Sequence, residues 1–345
     1  MKKLIPLYIS VLFLIFACGQ SDPVRDNALL WQITSNGNPE SHSYLLGIYP
    51  GDGISGGILG SIPGFNEAFQ SVNQYVGEYD LGMFGSENTQ TFYEKWLGSI
   101  SMPADSSYKD LLDAKDYEHL EFLVRFHLRM FMARESISPN YLSLWLLIMR
   151  TEDHIQNVFD RRKLITADNH LQNLSRKKGS VVKGLEPLEV KLQSLKAKYK
   201  NFTFPQLSLK ESCDTMIFVV RQLDKILSVK YPKDIVNCVA DIENAYKKQD
   251  MVSLSEYRKR LFELNEKFEK EHNGTCLIRI NEIPLDSASI TEKNLRWVIK
   301  ISEYVEEQPS FIGVNIDHLF GNDGLIKLLR ARGYTVKPVK NISKV

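Results

Sequence analysis

A chain of 345 residues with 43% hydrophobic side chains can bury the core of one large domain or two smaller ones. Its 43 lysines and arginines nearly cancel 42 aspartates and glutamates, and the net charge of +1 excludes the basic footprint of a nucleic-acid binder. Charge runs such as Arg161-Arg-Lys163 and Arg176-Lys-Lys178 read as solvated helix ends.

Lys2 and Lys3 precede an apolar run from Leu4 to Ala17, the length of a signal h-region and too short to span a bilayer. The run ends Ile15-Phe-Ala-Cys18, which resembles a bacterial lipobox. Residues 1–17 are therefore expected to be a lipoprotein signal peptide and Cys18 the lipidated first residue of a polar tether over 18–27. An ordinary signal peptide or an N-terminal anchor is the alternative, and all three export the chain. The expected location is the bacterial cell envelope, lipid-anchored on the periplasmic or outer-membrane side, with the membrane as a partner. Export places the remaining cysteines in an oxidising compartment. Cys213, Cys238 and Cys276 allow at most one internal disulfide, whose pairing stays open, and a structural role is assigned to them.

From residue 28 onward the chain reads as one domain. Ala28 to Thr34 and Ser43 to Tyr49 are short apolar runs either side of the turn-rich Ser35-Asn-Gly-Asn-Pro39, a predicted hairpin. A glycine-rich loop over 51–60 leads to a predicted helix over 62–72 and a strand over 74–80 that carries Glu78 and Asp80. Helical periodicity then dominates. Asp116 to Met132, Tyr141 to Met149 and Asp168 to Lys177 are predicted helices, and Ser180 to Glu186 a strand ending in a carboxylate. Three heavily charged helices follow over 209–229, 234–248 and 253–270, with breaks at Tyr231-Pro232 and Gln249-Asp250. Two helical insertions, about 103–165 and 205–272, are thus expected to pack beside a central sheet. The chain returns through a helix over 292–301.

The last stretch runs Ser310-Phe-Ile-Gly-Val-Asn-Ile-Asp-His318, then Gly321-Asn-Asp-Gly324, then Leu325, Ile326, Leu328 and Leu329 at helical spacing, and a strand from Tyr334 to Val336. Strand, loop with one histidine, helix, strand is how an α/β protein presents a side chain at the carboxyl end of its sheet. The fold class predicted is α/β with a mixed central sheet.

These segments together resemble the TraB/PrgY/GumN proteins, a family that includes the Tiki metalloproteases. Leu30-Trp-Gln-Ile33 with Ser43-Tyr-Leu-Leu-Gly47 is similar to the family's opening pattern, and Ile62 to Asp80 to its helix and acidic strand. Tyr108-Lys-Asp-Leu-Leu-Asp113, Ser138-Pro-Asn-Tyr-Leu-Ser-Leu-Trp145 and Gly184-Leu-Glu-Pro-Leu-Glu189 extend the match. Glu292-Lys-Asn294 and the terminal strand, histidine and helix complete it. The resemblance implies an erythromycin-esterase/ChaN-like fold of two related halves, each ending a strand in a G-x-x-H motif. It also implies a divalent metal (zinc, manganese or cobalt) held by histidines and carboxylates for peptide hydrolysis. Such donors suit a borderline cation that polarises a carbonyl and activates water. The matching positions make Glu78, Glu186 and His318 the candidate catalytic and metal-binding residues, with Asn294 a candidate for orienting substrate.

The chain departs from that pattern. The first motif reads Gly47-Ile-Tyr-Pro50, with proline where a ligand histidine is expected, and His42 lies on the wrong side of Gly47 to replace it. The second reads Asn315-Ile-Asp-His318, without the glycine. Lys293, Val190 and Lys191 stand at an arginine, an acidic and a glutamine position. Structural readings compete at each site: His318 bonded to Asp317 or backbone, Glu78 ion-paired with Lys293, Glu186 capping a helix, Asn294 a buried polar contact. Asp80 and Glu189 read as structural, and His119, His127, His154, His170 and His272 show no ligand spacing. Two functions follow. One is a degenerate site in an exported binding protein for a peptide or protein ligand, needing no metal. The other is an active metal-dependent, peptidase-like hydrolase using the remaining carboxylates and His318.

Overall fold

A computed structural model describes residues 28–35, 37–49, 56–85, 100–127, 137–143, 146, 167–191, 193, 207–227, 232–271 and 287–339. The signal peptide, Cys18 with its tether, Pro50, Cys276, His154, His272 and most of the predicted helix over 141–149 lie outside the described residues.

Six strands form one mixed sheet in the order β4-β3-β5-β2-β1-β6. The predicted hairpin is β1 (Leu30–Ser35) against β2 (Asn38–Ile48), in register from Leu30 opposite Leu46 to Thr34 opposite His42. Strands β3 (Gln74–Tyr79), β4 (Val181–Glu186) and β5 (Ser310–Asn315) run parallel to β2, and β6 (Thr335–Pro338) pairs antiparallel with β1. Central β5 is buried on both faces, which is why Phe311, Ile312 and Val314 read as a continuous apolar run.

The predicted helix over 62–72 is shorter, α1 (Phe65–Gln70). Gly64 before it takes φ 73, and the glycine-rich segment expected as loop closes into a 3-10 turn over Gly56–Ser61. Phe65 and Phe69 set their edges on Phe311 at 5.7 and 5.3 Å, fastening α1 to β5. The Lys178 ammonium closes the other end of α1, donating to the carbonyls of Phe69, Gln70 and Val72.

The helical part divides differently from the expected insertions. Helices α2 (Tyr108–Leu111), α3 (Ala114–His127) and α5 (Leu209–Leu227) build a satellite core with Ile100, Ile137 and Leu146. Helix α4 (Ala167–Lys178) instead lies on the sheet and feeds β4. Helices α6 (Lys233–Lys247) and α7 (Met251–Glu271) bury Ile235, Val239, Ile242, Leu254 and Leu261 in the sheet's own core. So the 205–272 segment is split: α5 joins the satellite, whereas α6 and α7 belong to the main core. At the turn between α6 and α7, Gln249 takes φ 57, and its side-chain oxygen accepts the Leu29 N–H at 2.7 Å. Cys213 and Cys238 are buried in different clusters, which excludes a bond between them. Helices α8 (Ser287–Glu307) and α9 (Leu325–Ala331) complete the fold around β5. Among the described residues no helix is long and apolar enough to cross a membrane.

Candidate functional site

Because β4, β3, β5 and β2 are parallel neighbours, their carboxyl ends share one edge, at spacings of about 4.8 Å per strand. Glu186 ends β4, Glu78 lies at the end of β3, and His318 follows β5 in a 3-10 turn over Ile316–His318. The strand stops at Asn315, short of the histidine. Asn315 has φ −54, so the missing glycine is not needed for backbone reasons, and its side chain caps the turn by accepting the Asp317 N–H at 3.0 Å. Gly47 is needed where it stands. A Cβ there would meet Leu319 Cδ1 at 2.6 Å and Ile316 Cγ1 at 3.2 Å, so the turn carrying His318 rests directly on the first motif's glycine.

His318 is wholly buried, and its partner is neither Asp317 nor backbone. Its Nδ1 lies 2.7 Å from Asn294 Oδ1, while Asn294 Nδ2 donates to the carbonyls of His318 at 3.2 Å and Asp323 at 2.8 Å. Two carbonyl acceptors fix which end of the amide is nitrogen, so Nδ1 carries the imidazole proton and Nε2 keeps a bare lone pair. That Nε2 is buried without a hydrogen-bond partner. Burial and the Lys293 charge push the His318 pKa down to about 4, against a smaller opposing effect of Asp317. Asp317 itself is gripped by Arg258 of α7 at 2.6 and 3.2 Å. Asn294 is therefore a positioning residue for the ring.

Glu78 is half-buried and accepts the Asn315 N–H at 2.8 Å, which joins the end of β3 to the end of β5. Burial raises its pKa; the Asn315 bond and the charges of Lys293 and Lys191 act against this, and Asp168 adds to it. Asp168, on α4, takes the Tyr75 hydroxyl at 2.7 Å and the Gln172 amide at 3.2 and 3.1 Å. Its pKa too is raised by burial, with those hydrogen bonds and the charges of Lys191 and Arg176 opposing. Lys191 Nζ sits 5.1 Å over the Tyr79 ring, and Lys293 Nζ 5.7 Å over the Trp297 ring.

Glu186 is held by one oxygen. Its Oε1 accepts both Trp297 Nε1–H at 2.9 Å and Arg296 at 3.0 Å. Burial alone would raise its pKa, but the hydrogen bonds from Arg296 and Trp297 and the charges of Arg296 and Lys300 outweigh it, and the net shift is downward. Trp297 also lies 4.4 Å from the His318 ring, so one indole links the two strand ends. Asp80 is spent on Arg176 at 2.5 Å, as its structural reading required. His42 bonds Thr34 at 3.1 Å beside a groove of about 320 Å³ on β1, β2 and β6, remote in the strand order from these carboxylates.

A metal would need donors with lone pairs to spare. His318 Nε2, one oxygen of Glu78 and Oε2 of Glu186 accept no hydrogen bond among the described residues, whereas Asp168 takes donors on both oxygens. An ordinary catalytic zinc site needs three protein ligands that converge on one point. Among the described residues no group of three or more His, Cys, Asp or Glu is placed to hold a metal ion. The described residues, as they are placed, do not fit the implied metal.

Asp168, Tyr75 and Trp297 belong to this site and were missed from sequence. The signals existed: Asp168 stands four residues before its partner Gln172 on α4, and Trp297 three residues after Asn294 on α8. The model of the TraB/PrgY/gumN family matches residues 29–338 of the chain. Comparison with curated proteins returns no match, and neither does comparison with solved structures.

Proposed function

Because the chain belongs to the TraB/PrgY/gumN family, we propose that it is an exported, lipid-anchored binding protein built on a decayed metal-hydrolase site. The supporting observation is that Glu78, Glu186 and His318 end adjoining strands without forming a metal-holding group, and that Glu186 Oε1 is already given to Arg296 and Trp297. Proline at position 50 also removes a histidine that the family pattern places at this edge. On this reading the edge binds a peptide or protein segment without cleaving it. The mature chain is expected to purify without stoichiometric zinc, manganese or cobalt, and ligand binding should be indifferent to chelator. Stoichiometric metal that is lost in His318→Ala would end this reading. The anchor is tested separately: Cys18→Ser should move the protein from the membrane fraction to the soluble one.

A second reading, an active metal-dependent hydrolase, is favoured by one feature. His318 Nε2 is a buried lone pair whose tautomer Asn294 presets, as metal-binding imidazoles require. It predicts peptide hydrolysis that chelator abolishes and added metal restores.

A further inference from the structure

The chain enters its fold at the edge that carries the candidate site, and the entry is fastened. Leu30 stands opposite Leu46, so Leu29 and Ala28 lie level with Gly47 and Ile48 at the carboxyl end of β2. Ile48 in turn stands opposite Asn315, whose N–H Glu78 accepts. In the strand order β1 is two places from β5 and four from β4, about 10 and 19 Å at 4.8 Å per strand. The first residues of a domain usually fray unless they are tied down. Here Leu29 is wholly buried, its N–H donating to Gln249 Oε1 at 2.7 Å and its carbonyl accepting the Gly47 N–H at 2.9 Å. The Ala28 carbonyl accepts Trp31 Nε1–H at 2.9 Å. Gly47 also underlies the turn of His318, so the point of entry and the site share a residue.

We propose that this entry turns the carboxyl edge toward the membrane surface, and that the segment it receives is the juxtamembrane stretch of another envelope protein. The proposal rests on the reading of the chain as a lipid-anchored binding protein, and adds where its partner stands. The expected tether, 18–27, has ten residues, which reach at most ~36 Å when fully extended. A compact body built from residues 28–345 is about 50 Å across. Were the edge turned away from the bilayer, the tether would have to span that width, and it is too short. The edge is thus confined to the side that faces the lipid or flanks it. The net charge of +1 supplies no strong pull toward anionic lipid, which leaves the tether to set the orientation. A soluble ligand gains nothing from this placement. A segment emerging from the bilayer meets the edge at a high effective concentration, because both are held to one surface.

The test anchors the full mature chain through its Cys18 lipid in vesicles of phosphatidylethanolamine and phosphatidylglycerol. A fluorescent amino acid replaces either Asn322, exposed in the loop after His318, or Glu40, exposed toward the other end of β2. Glu40 lies seven residues before Gly47, about 24 Å along the strand. Energy transfer to a headgroup acceptor should be at least ~3-fold faster from the Asn322 position than from the Glu40 position, given that separation. A glycine-serine insertion of about 40 residues between Asp22 and Pro23 lets the tether pass round the body, and the two rates should then converge. Equal rates without the insertion overturn the orientation and leave the binding reading standing. An asymmetry that survives the insertion overturns the tether as its cause. For the partner, a photo-crosslinking amino acid in place of Asn322 in cells should give adducts with proteins that carry a membrane span or a lipid anchor. These adducts should fall at least ~5-fold with the insertion, as the effective concentration drops. Adducts with soluble proteins alone, adducts indifferent to the insertion, or none at all overturn the partner class. A chain that carries no lipid on Cys18 ends the anchored reading itself.

Discussion

His318 and Glu186 sit at the carboxyl ends of parallel strands two places apart in the sheet, and the fold treats them in opposite ways. The histidine is fixed at one nitrogen and left open at the other: Asn294 takes Nδ1, and Nε2 faces no partner. The carboxylate carries two donors on one oxygen, Oε1, and none among the described residues on the other. Trp297 touches both, by its ring face at one end and its N–H at the other. The contrast teaches that a residue in the right place on a sheet edge is not yet a ligand. What decides is whether neighbouring groups have already used its lone pairs, because an unpaired buried polar atom is costly and a folding chain tends to satisfy it. The exception, Nε2, is therefore the more informative end.

The largest effect is expected where the two ends share a residue. Trp297→Ala removes a fully buried indole and should cost about 3–5 kcal/mol in a denaturant titration. Trp297→Phe separates the two roles: it keeps a ring for His318 and deletes only the N–H to Glu186, so its cost should fall to about 1–2 kcal/mol. Equal losses in both variants would show that the indole N–H, not the ring, dominates. Next comes pH. His318 titrates near 4 in the fold against an ordinary value of 6.5, so the unfolded chain binds the proton more readily. The stability due to keeping this ring neutral is full above about pH 6.5 and is lost as pH falls toward 4. The size is about 3 kcal/mol, at 1.36 kcal/mol per unit. His318→Gln should flatten the melting profile over that window while leaving the carboxylate-driven loss at lower pH.

The sheet that creates this contrast was legible in the sequence; the contrast was not. Continuous apolar runs such as Phe311 to Val314, and the turn-rich Ser35 to Pro39, announce strands and a hairpin through local pattern alone. The family resemblance then named Glu78, Glu186 and His318, and their strand ends do adjoin. What local pattern cannot supply is the identity of the facing group. Helical periodicity shows that α5, α6 and α7 each bury a face, yet not that α5 turns to a satellite core while α6 and α7 turn to the sheet. Similarly, Glu186 finds its donors 110 and 111 residues away, and Tyr75 finds Asp168 93 residues away. Such pairings are set by tertiary packing, and a single sequence carries no register for them.

The α6–α7 pair also bears on the open end. Tyr246 donates to the Gly47 carbonyl at 2.8 Å, and Arg258 grips Asp317 while lying 5.6 Å over the Tyr49 ring. One helical hairpin thus holds the end of β2 and the turn after β5. Arg258→Met should cost about 1–2 kcal/mol, since the pair is bidentate and only about a fifth of each side chain is exposed (23% and 22%). Faster amide exchange at Asp317 and His318, with β4 unaffected, is the expected signature; uniform acceleration would mean that the hairpin supports the sheet as a whole.

The smallest effect should come from loosening the carboxylate end. The Arg296 side chain is 46% exposed, so solvent screens much of its attraction to Glu186, and the carboxylate would keep its Trp297 bond in Arg296→Met. An exposed partner of this kind contributes about 0–1 kcal/mol, and the variant's loss should lie in that range. Its pH dependence says more than its size. The guanidinium holds the Glu186 carboxyl below its ordinary 4.5, so its contribution is present above about pH 4.5 and disappears as pH falls and the carboxyl protonates. Wild type and Arg296→Met should therefore differ above that pH and converge below it. A gap that persists unchanged at low pH would mean that the arginine acts through packing of its stem instead of its charge. In the variant, Glu186 keeps one donor where it had two, which brings the carboxylate end nearer to the state of His318.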